Sequence, residues 1–292
     1  MSQRPGSSAI DASTRLCALF GLPVVHSASP AMHNAAFIAL GLNWRYLAFQ
    51  VAPNDLCAAI EGARAMNFAG VNLTVPHKLA AVDMMDELDA SAKMFGAVNT
   101  IRFKCSIGSI RAVGFNTDAD AIAASLSEDL KLKLPGARVL LLGAGGAGRT
   151  AALKLASENV AELFLVNRTR SKALGIAQEI KRQFHSVKIQ VGYPVGRVDL
   201  VMNATSLGLR PADASPLDEK KFSLRHASAV YDMIYCPSQT RLLARAIKAG
   251  CKTANGLGML LYQGARAFEI WTGKSAPLNV MRKALEHAVQ SP

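Results

Sequence analysis

The chain has 292 residues, half of them hydrophobic and 18% charged, a globular balance that excludes disorder and, at about 150 residues per domain, suggests two domains. Its longest apolar stretch, near residues 139–147, is far short of the roughly 20 residues a bilayer requires, and residues 1–15 are polar and Ser-rich with no apolar signal core. The net charge of +12 is uneven, with −1 over residues 1–100, +7 over 101–200 and +6 over 201–292, yet no dense Lys/Arg run carries interleaved aromatics, so the charge reads as a solvated basic surface or as a field that draws a small polyanion to the second half, rather than as a nucleic-acid site.

Five cysteines stand at 17, 57, 105, 236 and 251, an odd number without a CxxC pair. Neither a disulfide framework nor a zinc site follows from them, and a reduced, cytoplasmic compartment without membrane attachment is expected.

In chain order, residues 16–21 predict a strand and residues 30–40 a helix, with Ser29 as N-cap and Pro30 at N1. Strand 44–51, helix 54–66 and strand 71–75 follow, then a helical segment near 78–88 and a strand pair at 98–103 and 110–115. Residues 118–130 predict a bridging helix, Pro135-Gly136 a turn, and 138–142 a fully apolar strand of the kind buried in parallel sheets. Helix 146–157 and strand 163–166 complete a βαβ unit. Further strands are expected at 187–191, 200–204 and 229–234, and helices at 171–184 and 239–249. Residues 207–222, with Pro211 and Pro216, read as an exposed loop. The tail 257–289 is helical with a break near 273–277. Alternating strands and helices make this an α/β protein.

Gly143-Ala144-Gly145-Gly146-Ala147-Gly148 fits G-x-G-x-x-G, follows an apolar strand and opens a helix, which is the context this dinucleotide motif needs. Gly143 permits the tight turn, Gly145 lets a pyrophosphate approach the backbone, and Gly148 allows helix and strand to pack closely. The helix N-terminus then offers free N–H groups to the phosphates. An NAD site places a carboxylate about 20 residues on, to hold the ribose 2′-hydroxyl. Here the second strand ends instead in Asn167-Arg168-Thr169-Arg170-Ser171-Lys172. Arginine binds phosphate with a planar fork, and cations are unfavourable at a helix start unless they serve a ligand, so a 2′-phosphate and NADP are expected.

A nicotinamide enzyme acting on a ketone must also manage a proton. No Tyr-x-x-x-Lys and no zinc-ligand spacing occurs, and a lone histidine is more often structural than catalytic. Two polar clusters close strands instead, Gly70-Val-Asn72-Leu-Thr74-Val-Pro76-His77-Lys78 and Gly114-Phe-Asn116-Thr117-Asp118. Strand ends in α/β proteins face the ligand crevice. Lys78 and Asp118 brought together there would form an acid–base pair, whereas either alone would be an ordinary surface charge.

With these segments in view, the chain resembles the shikimate dehydrogenase family over residues 15–273. The resemblance rests on the stretch Gly21 to Asn34 with its Ser27-Ala-Ser29-Pro30, the two clusters above, Gly96-Ala-Val-Asn99-Thr100, the glycine loop, Asn167-Arg168-Thr169, Asn203-Ala-Thr205-Ser206-Leu-Gly208, Tyr231-Asp-Met-Ile-Tyr235 and Gly258-Met-Leu-Leu-Tyr-Gln263-Gly264. It implies Lys78 and Asp118 as the catalytic pair, and Ser27, Ser29, Thr74, Asn99, Tyr235 and Gln263 as ligands of a cyclohexene acid. It adds Thr205, Met233 and Gly256 to the NADP residues Gly143 to Gly148, Asn167, Arg168, Thr169 and Lys172. It also implies an α/β substrate-binding domain from residues 15–117 plus 256–292, and a Rossmann NADP-binding domain with a parallel sheet at 118–255. The activity implied is reversible reduction of 3-dehydroshikimate to shikimate, in the pathway to chorismate and the aromatic amino acids, by a monomer or homodimer.

The chemistry of the residues agrees. A ligand with a carboxylate and three hydroxyls needs short polar side chains, and Asn99 and Gln263 can each donate and accept. Ser29 doubles as a helix cap, which leaves Ser27 as the freer hydroxyl. The sequence departs from the family where Ala119 and Ala121 occupy usual glycine slots, with Asp120 between them as an extra carboxylate that either couples to Lys78 or faces solvent. Residues 1–14 have no counterpart and are expected to be disordered. A quinate or aminoshikimate dehydrogenase and a non-catalytic NADP-binding regulator stand as the alternatives.

Overall fold

The computed structural model describes residues 10–106, 108–210 and 212–290; the expectations for residues 1–9 and for Pro211 lie outside these. Two units divide the chain, one formed by residues up to Asp118 and from Leu260 onward, the other by Ala119–Met259. Among the described residues no helix is long and apolar enough to cross a membrane.

The first unit opens with β1 (Arg15–Gly21), α1 (Ser29–Ala39), β2 (Trp44–Gln50), α2 (Leu56–Ala65) and β3 (Gly70–Leu73). It continues through β4 (Glu87–Leu88), α3 (Ala90–Phe95), β5 (Thr100–Ser106) and β6 (Ser109–Phe115). These strands form a six-stranded sheet in the order β2-β1-β3-β5-β6-β4. β1 runs parallel to β2 and β3, while β5 is antiparallel to β3 and β6. Phe20, Val71, Leu73 and Ile101 from this sheet pack with Leu56 and Ile60 of α2 in one buried cluster.

The strand directions decide where the polar clusters go. Parallel β1 and β3 both release their following segments, residues 22–28 and 74–78, at one edge of the sheet, the carboxyl ends of these strands. Antiparallel β5 begins at that edge, with Thr100 paired to Asn72, and β6 ends there, with Phe115 paired to Thr100. A backbone bond from Leu22 N–H to the Val75 carbonyl (2.9 Å) ties two of these segments together.

The second unit contains α4 (Asp118–Leu130, its first residue counted with the first unit), β7 (Arg138–Leu142), α5 (Gly146–Ser157), β8 (Glu162–Val166), α6 (Arg170–Gln183) and β9 (Lys188–Val191). β10 (Val198–Asn203), β11 (Ala227–Asp232), α7 (Arg241–Lys248) and β12 (Lys252–Asn255) complete it. Its sheet is parallel throughout, in the order β12-β11-β10-β7-β8-β9. Counted from its own first strand this is the doubly wound order 3-2-1-4-5-6 of dinucleotide-binding folds. Leu140, Val201 and Val230 anchor its core. α8 (Leu257–Thr272) then leads back into the first unit, where α9 (Leu278–Gln290) packs on α1.

Several local expectations give way to tertiary bonds. Ser29 is not the N-cap: helical geometry begins at Ala28 (φ −82°, ψ −4°), Ser29 is already inside α1, and its N–H donates to Ser27 Oγ (3.3 Å). The helix expected at 78–88 shrinks to a short 3-10 turn at Ala80–Met84, because Asp86 accepts the Ala112 N–H (2.6 Å) and pairs with Arg64 (3.0 Å), drawing the next residues into β4. The helix expected from 54 starts at Leu56 after a 3-10 turn, and the strand expected to 75 stops at Leu73. The loop 207–222 is not exposed throughout, since Leu217 and Phe222 are buried in the second core. At the N-terminus, residues 11–14 are ordered by side-chain bonds from Asp11, Ser13 and Thr14 to Asn43. Asp120 does not bind Lys78: its side chain faces solvent, 76% exposed, and pairs with Lys154 at 2.8 Å. Burial opposes the Lys154 charge, yet hydrogen bonds to Asp120 and Glu158 outweigh it and hold the pKa above the usual lysine value.

Candidate active site and nucleotide cavity

In the first unit, Lys78 Nζ donates to Asp118 Oδ2 at 2.6 Å. The lysine side chain is 32% exposed and the carboxylate 9%. An ammonium carries three N–H donors and a carboxylate two acceptor oxygens. Among the described residues Lys78 spends one donor here and Asp118 one oxygen, so two N–H groups and Oδ1 remain for a ligand. The Lys78 carbonyl accepts the Val98 N–H (2.8 Å), which fixes this segment beside the entry to β5.

A buried polar network supports the carboxylate. Tyr46 Oη donates to Asn72 Oδ1 (2.8 Å), and Asn72 Nδ2 donates to Thr100 Oγ1 (2.9 Å) and to the Asn99 carbonyl (3.1 Å). Asn99 Oδ1 accepts the Thr117 N–H (2.7 Å) while its Nδ2 donates to Thr117 Oγ1 (2.9 Å). Burial, reinforced by the neighbouring Cys17, pushes the Tyr46 pKa well up, so its hydroxyl stays a donor. Asn99 therefore clamps the residue before Asp118, and one N–H of its amide remains for a ligand. Asn72 and Thr117 stand in the two polar clusters without an expected role, and Tyr46 is outside both. The signal of Asn72 and Tyr46 is a polar side chain buried within a strand.

The structure brings most of the expected substrate residues to this unit. Thr74 and Ser29 have hydroxyls with no partner among the described residues, and Ser27 Oγ accepts only the Ser29 N–H. Gln263 spends an amide N–H on the Leu260 carbonyl (3.0 Å). Its neighbour Gly264 lies against Met32 and His33, where an added Cβ would stand 2.2 Å from Met32 Cε, so α8 and α1 are in tight contact. Tyr235 belongs to the second unit, in the segment after β11.

In the second unit, a cavity of about 600 Å³ opens at the carboxyl ends of β7, β8 and β10. Gly143, Gly145, Asn167, Arg168, Thr169, Lys172 and Thr205 line it. Ala144, Gly146, Ala147 and Gly148 belong to the same loop and helix start but not to the lining. Gly143 has φ +111°, and an added Cβ at Gly148 would lie 2.3 Å from the Gly143 carbonyl oxygen, so both positions exclude a side chain. A Cβ on Gly145 or Gly146 would meet nothing within 4 Å, so packing does not exclude a side chain at either. No side chain caps α5, whose first N–H groups are left to a ligand. Arg168 and Lys172 are exposed and, among the described residues, in no ion pair. This donor set fits a dinucleotide with an added phosphate.

Asn167 is less free than expected. Its Oδ1 accepts the Ala144 N–H (3.0 Å) and its Nδ2 donates to the Thr169 carbonyl (2.9 Å), so it joins the glycine loop to the basic segment. Met233 and Gly256 meet at the ends of β11 and β12, where a Cβ on Gly256 would fall 2.0 Å from the Met233 carbonyl oxygen.

Comparisons with known proteins follow the same division. A profile described as the shikimate dehydrogenase substrate binding domain matches residues 19–101, one described as shikimate / quinate 5-dehydrogenase matches 124–209, and a shikimate 5'-dehydrogenase C-terminal domain matches 256–286. The chain is 43% identical over 289 residues to the shikimate dehydrogenase (NADP+) of Methanopyrus kandleri, covering 96% of this chain and 98% of that protein. A crystal structure of a shikimate dehydrogenase in complex with NADP+ superposes with a TM-score of 0.87 at 39% identity, over 98% of this chain and 99% of that one. A ligand-free 5-ketofructose reductase from a Gluconobacter strain superposes with a TM-score of 0.82 at 34% identity, over 95% and 99%.

Proposed function

The chain belongs to the shikimate dehydrogenase family, and from that premise we propose that it is an NADP-dependent dehydrogenase that interconverts 3-dehydroshikimate and shikimate. The observation that carries the reading is the Lys78–Asp118 pair, 2.6 Å apart at the sheet edge where the polar segments of the first unit gather. Bound in the nucleotide cavity, NADP(H) would supply or accept the hydride. Lys78 manages the proton. In reduction its ammonium gives a proton to the ketone oxygen, and in oxidation the amine takes the proton of the ring hydroxyl. Asp118 keeps the amine in place in both states, and Asn99 keeps Asp118 in place through Thr117.

The unspent groups of the first unit suit this substrate. Ser27, Ser29 and Thr74 offer hydroxyls, and Asn99 and Gln263 offer amide groups that both donate and accept. A hydroxyl-rich acid satisfies such a surface, whereas an apolar ketone would leave it unpaired, which is how a polar site rejects analogues lacking a hydroxyl. In the second unit, Arg168 and Lys172 serve the 2′-phosphate that separates NADP from NAD.

Steady-state kinetics of Lys78→Ala test the assignment. kcat should fall by about 10²–10⁴, the usual share of a general acid–base group. Asp118→Asn should cost as much or less, because it orients rather than transfers. A Lys78→Ala enzyme altered in KM alone would make Lys78 a binding residue and overturn the mechanism.

A further inference from the structure

β10 and β11 end in the same way. In each, three buried residues, Leu200–Met202 and Ala229–Tyr231, lead to a closing polar one, Asn203 and Asp232, and the parallel register pairs these two residues directly. Both are completely buried. Among the described residues no cation pairs with Asp232, so its carboxylate rests on hydrogen bonds alone. Oδ1 accepts from Asn203 Nδ2 (2.9 Å) and from the Ile234 N–H (3.1 Å), and Oδ2 accepts from Thr240 Oγ1 (2.6 Å). Burial pushes the Asp232 pKa above the usual carboxylate range, and the three hydrogen bonds pull it back only in part. Beyond satisfying these three donors, the carboxylate has another use.

That use follows from its being an acceptor only. Facing Asp232, the Asn203 amide must present its NH₂ group, which turns its oxygen toward Thr205. Asn203 Oδ1 there accepts both the Thr205 N–H (3.0 Å) and the Thr205 hydroxyl (2.7 Å). Asn203 Nδ2 also donates to the Leu207 carbonyl (3.2 Å), and the Leu207 N–H donates to Thr205 Oγ1 (3.1 Å). With its proton committed to Asn203 and one lone pair to Leu207, Thr205 keeps one lone pair, and Thr205 lines the nucleotide cavity.

We infer that Asp232 is a positioning residue for cofactor binding: through Asn203 it holds the 203–207 loop and presents Thr205 Oγ1 to the cavity as a hydrogen-bond acceptor, matched to a hydroxyl or amide N–H of the cofactor and not to a phosphate. The inference rests on the proposal that this cavity takes NADP. It needs no contact between Asp232 and the cofactor.

The test is calorimetric titration of NADP+ in the absence of substrate, beside steady-state kinetics, for four proteins. Asp232→Ala should raise the NADP+ dissociation constant and KM by about tenfold, the loss of roughly one hydrogen bond's ordering, with kcat and the shikimate KM within about threefold of the parent. Asp232→Asn keeps an acceptor at Oδ1 once its NH₂ turns to Thr240, and it should restore NADP+ affinity to within about threefold. Thr240→Val cuts the other arm, so it should lower the melting temperature and leave NADP+ affinity unchanged. Asp232→Ala that binds NADP+ like the parent while melting lower would reduce Asp232 to a structural role and overturn the inference, as would equal losses in Asp232→Asn and Asp232→Ala. Should Asp232→Ala not fold, Asn203→Ala breaks the same relay one step on and carries the same expectation. A parent protein that binds NADP+ but does not turn over shikimate would sink the proposed function while leaving the relay to be judged by titration alone.

Discussion

His33 lies in α1 with no exposure to solvent, stacked on the Tyr46 ring at 4.3 Å between centroids. Among the described residues neither ring nitrogen finds a partner, and burial pushes its pKa down to about 3. The consequence for stability has a definite sign. Between about pH 6.5, the unfolded value, and about 3, the unfolded chain holds a proton on this histidine that the folded chain does not. Folding is therefore opposed as the pH falls through that window, by about 2 kcal/mol at pH 5 and with a limiting slope of about 1.4 kcal/mol per pH unit. His33→Phe keeps the stacked ring and removes the titration. Denaturant unfolding at pH 7.5 and pH 5 should show the parent losing about 2 kcal/mol more than the variant over that interval. Identical losses would mean that other groups dominate acid stability.

At the scale of elements, the meeting of β3 with α8 depends on a missing side chain. Trp271 of α8 donates its Nε1–H to the Ile101 carbonyl (2.9 Å), and a Cβ on Gly70 would stand 2.0 Å from that nitrogen and 2.4 Å from that carbonyl oxygen. Gly70→Ala must displace backbone or indole, and overpacking of this kind costs about 1–3 kcal/mol. A melting temperature equal to the parent's would show that α8 yields without cost. Elements with a strong internal pattern were legible in the sequence: 118–130, 138–142 and 146–157 stand within the bounds their periodicity indicated. Others were decided from outside themselves. β12 (KTAN) has little apolar content because it is a partly exposed edge strand, and residues 85–88 leave helical geometry for bonds to Arg64 and Ala112 that no local pattern encodes. Ser29 was misplaced as a cap because the helix starts one residue earlier.

For the whole molecule, the glycine loop and the two polar strand ends carried more information than their local structure, because strand direction turned distant segments into neighbours. Lys78 and Asp118 are 40 positions apart in the chain and in contact in the fold. The residues that hold them, Asn99 and Thr117, and those that hold Thr205, Asn203 and Asp232, were not legible as partners, since their pairing depends on sheet register rather than on spacing. The same scaffold serves a 5-ketofructose reductase, so the fold alone does not choose the substrate. The choice is settled by initial rates at the reduced-nicotinamide band, measured for the purified protein with shikimate or quinate against NADP+ or NAD+, and with 5-ketofructose against NADPH. The proposed function predicts the highest kcat/KM for shikimate with NADP+. Quinate or 5-ketofructose turned over far faster than shikimate, or a preference for NAD+, would contradict it.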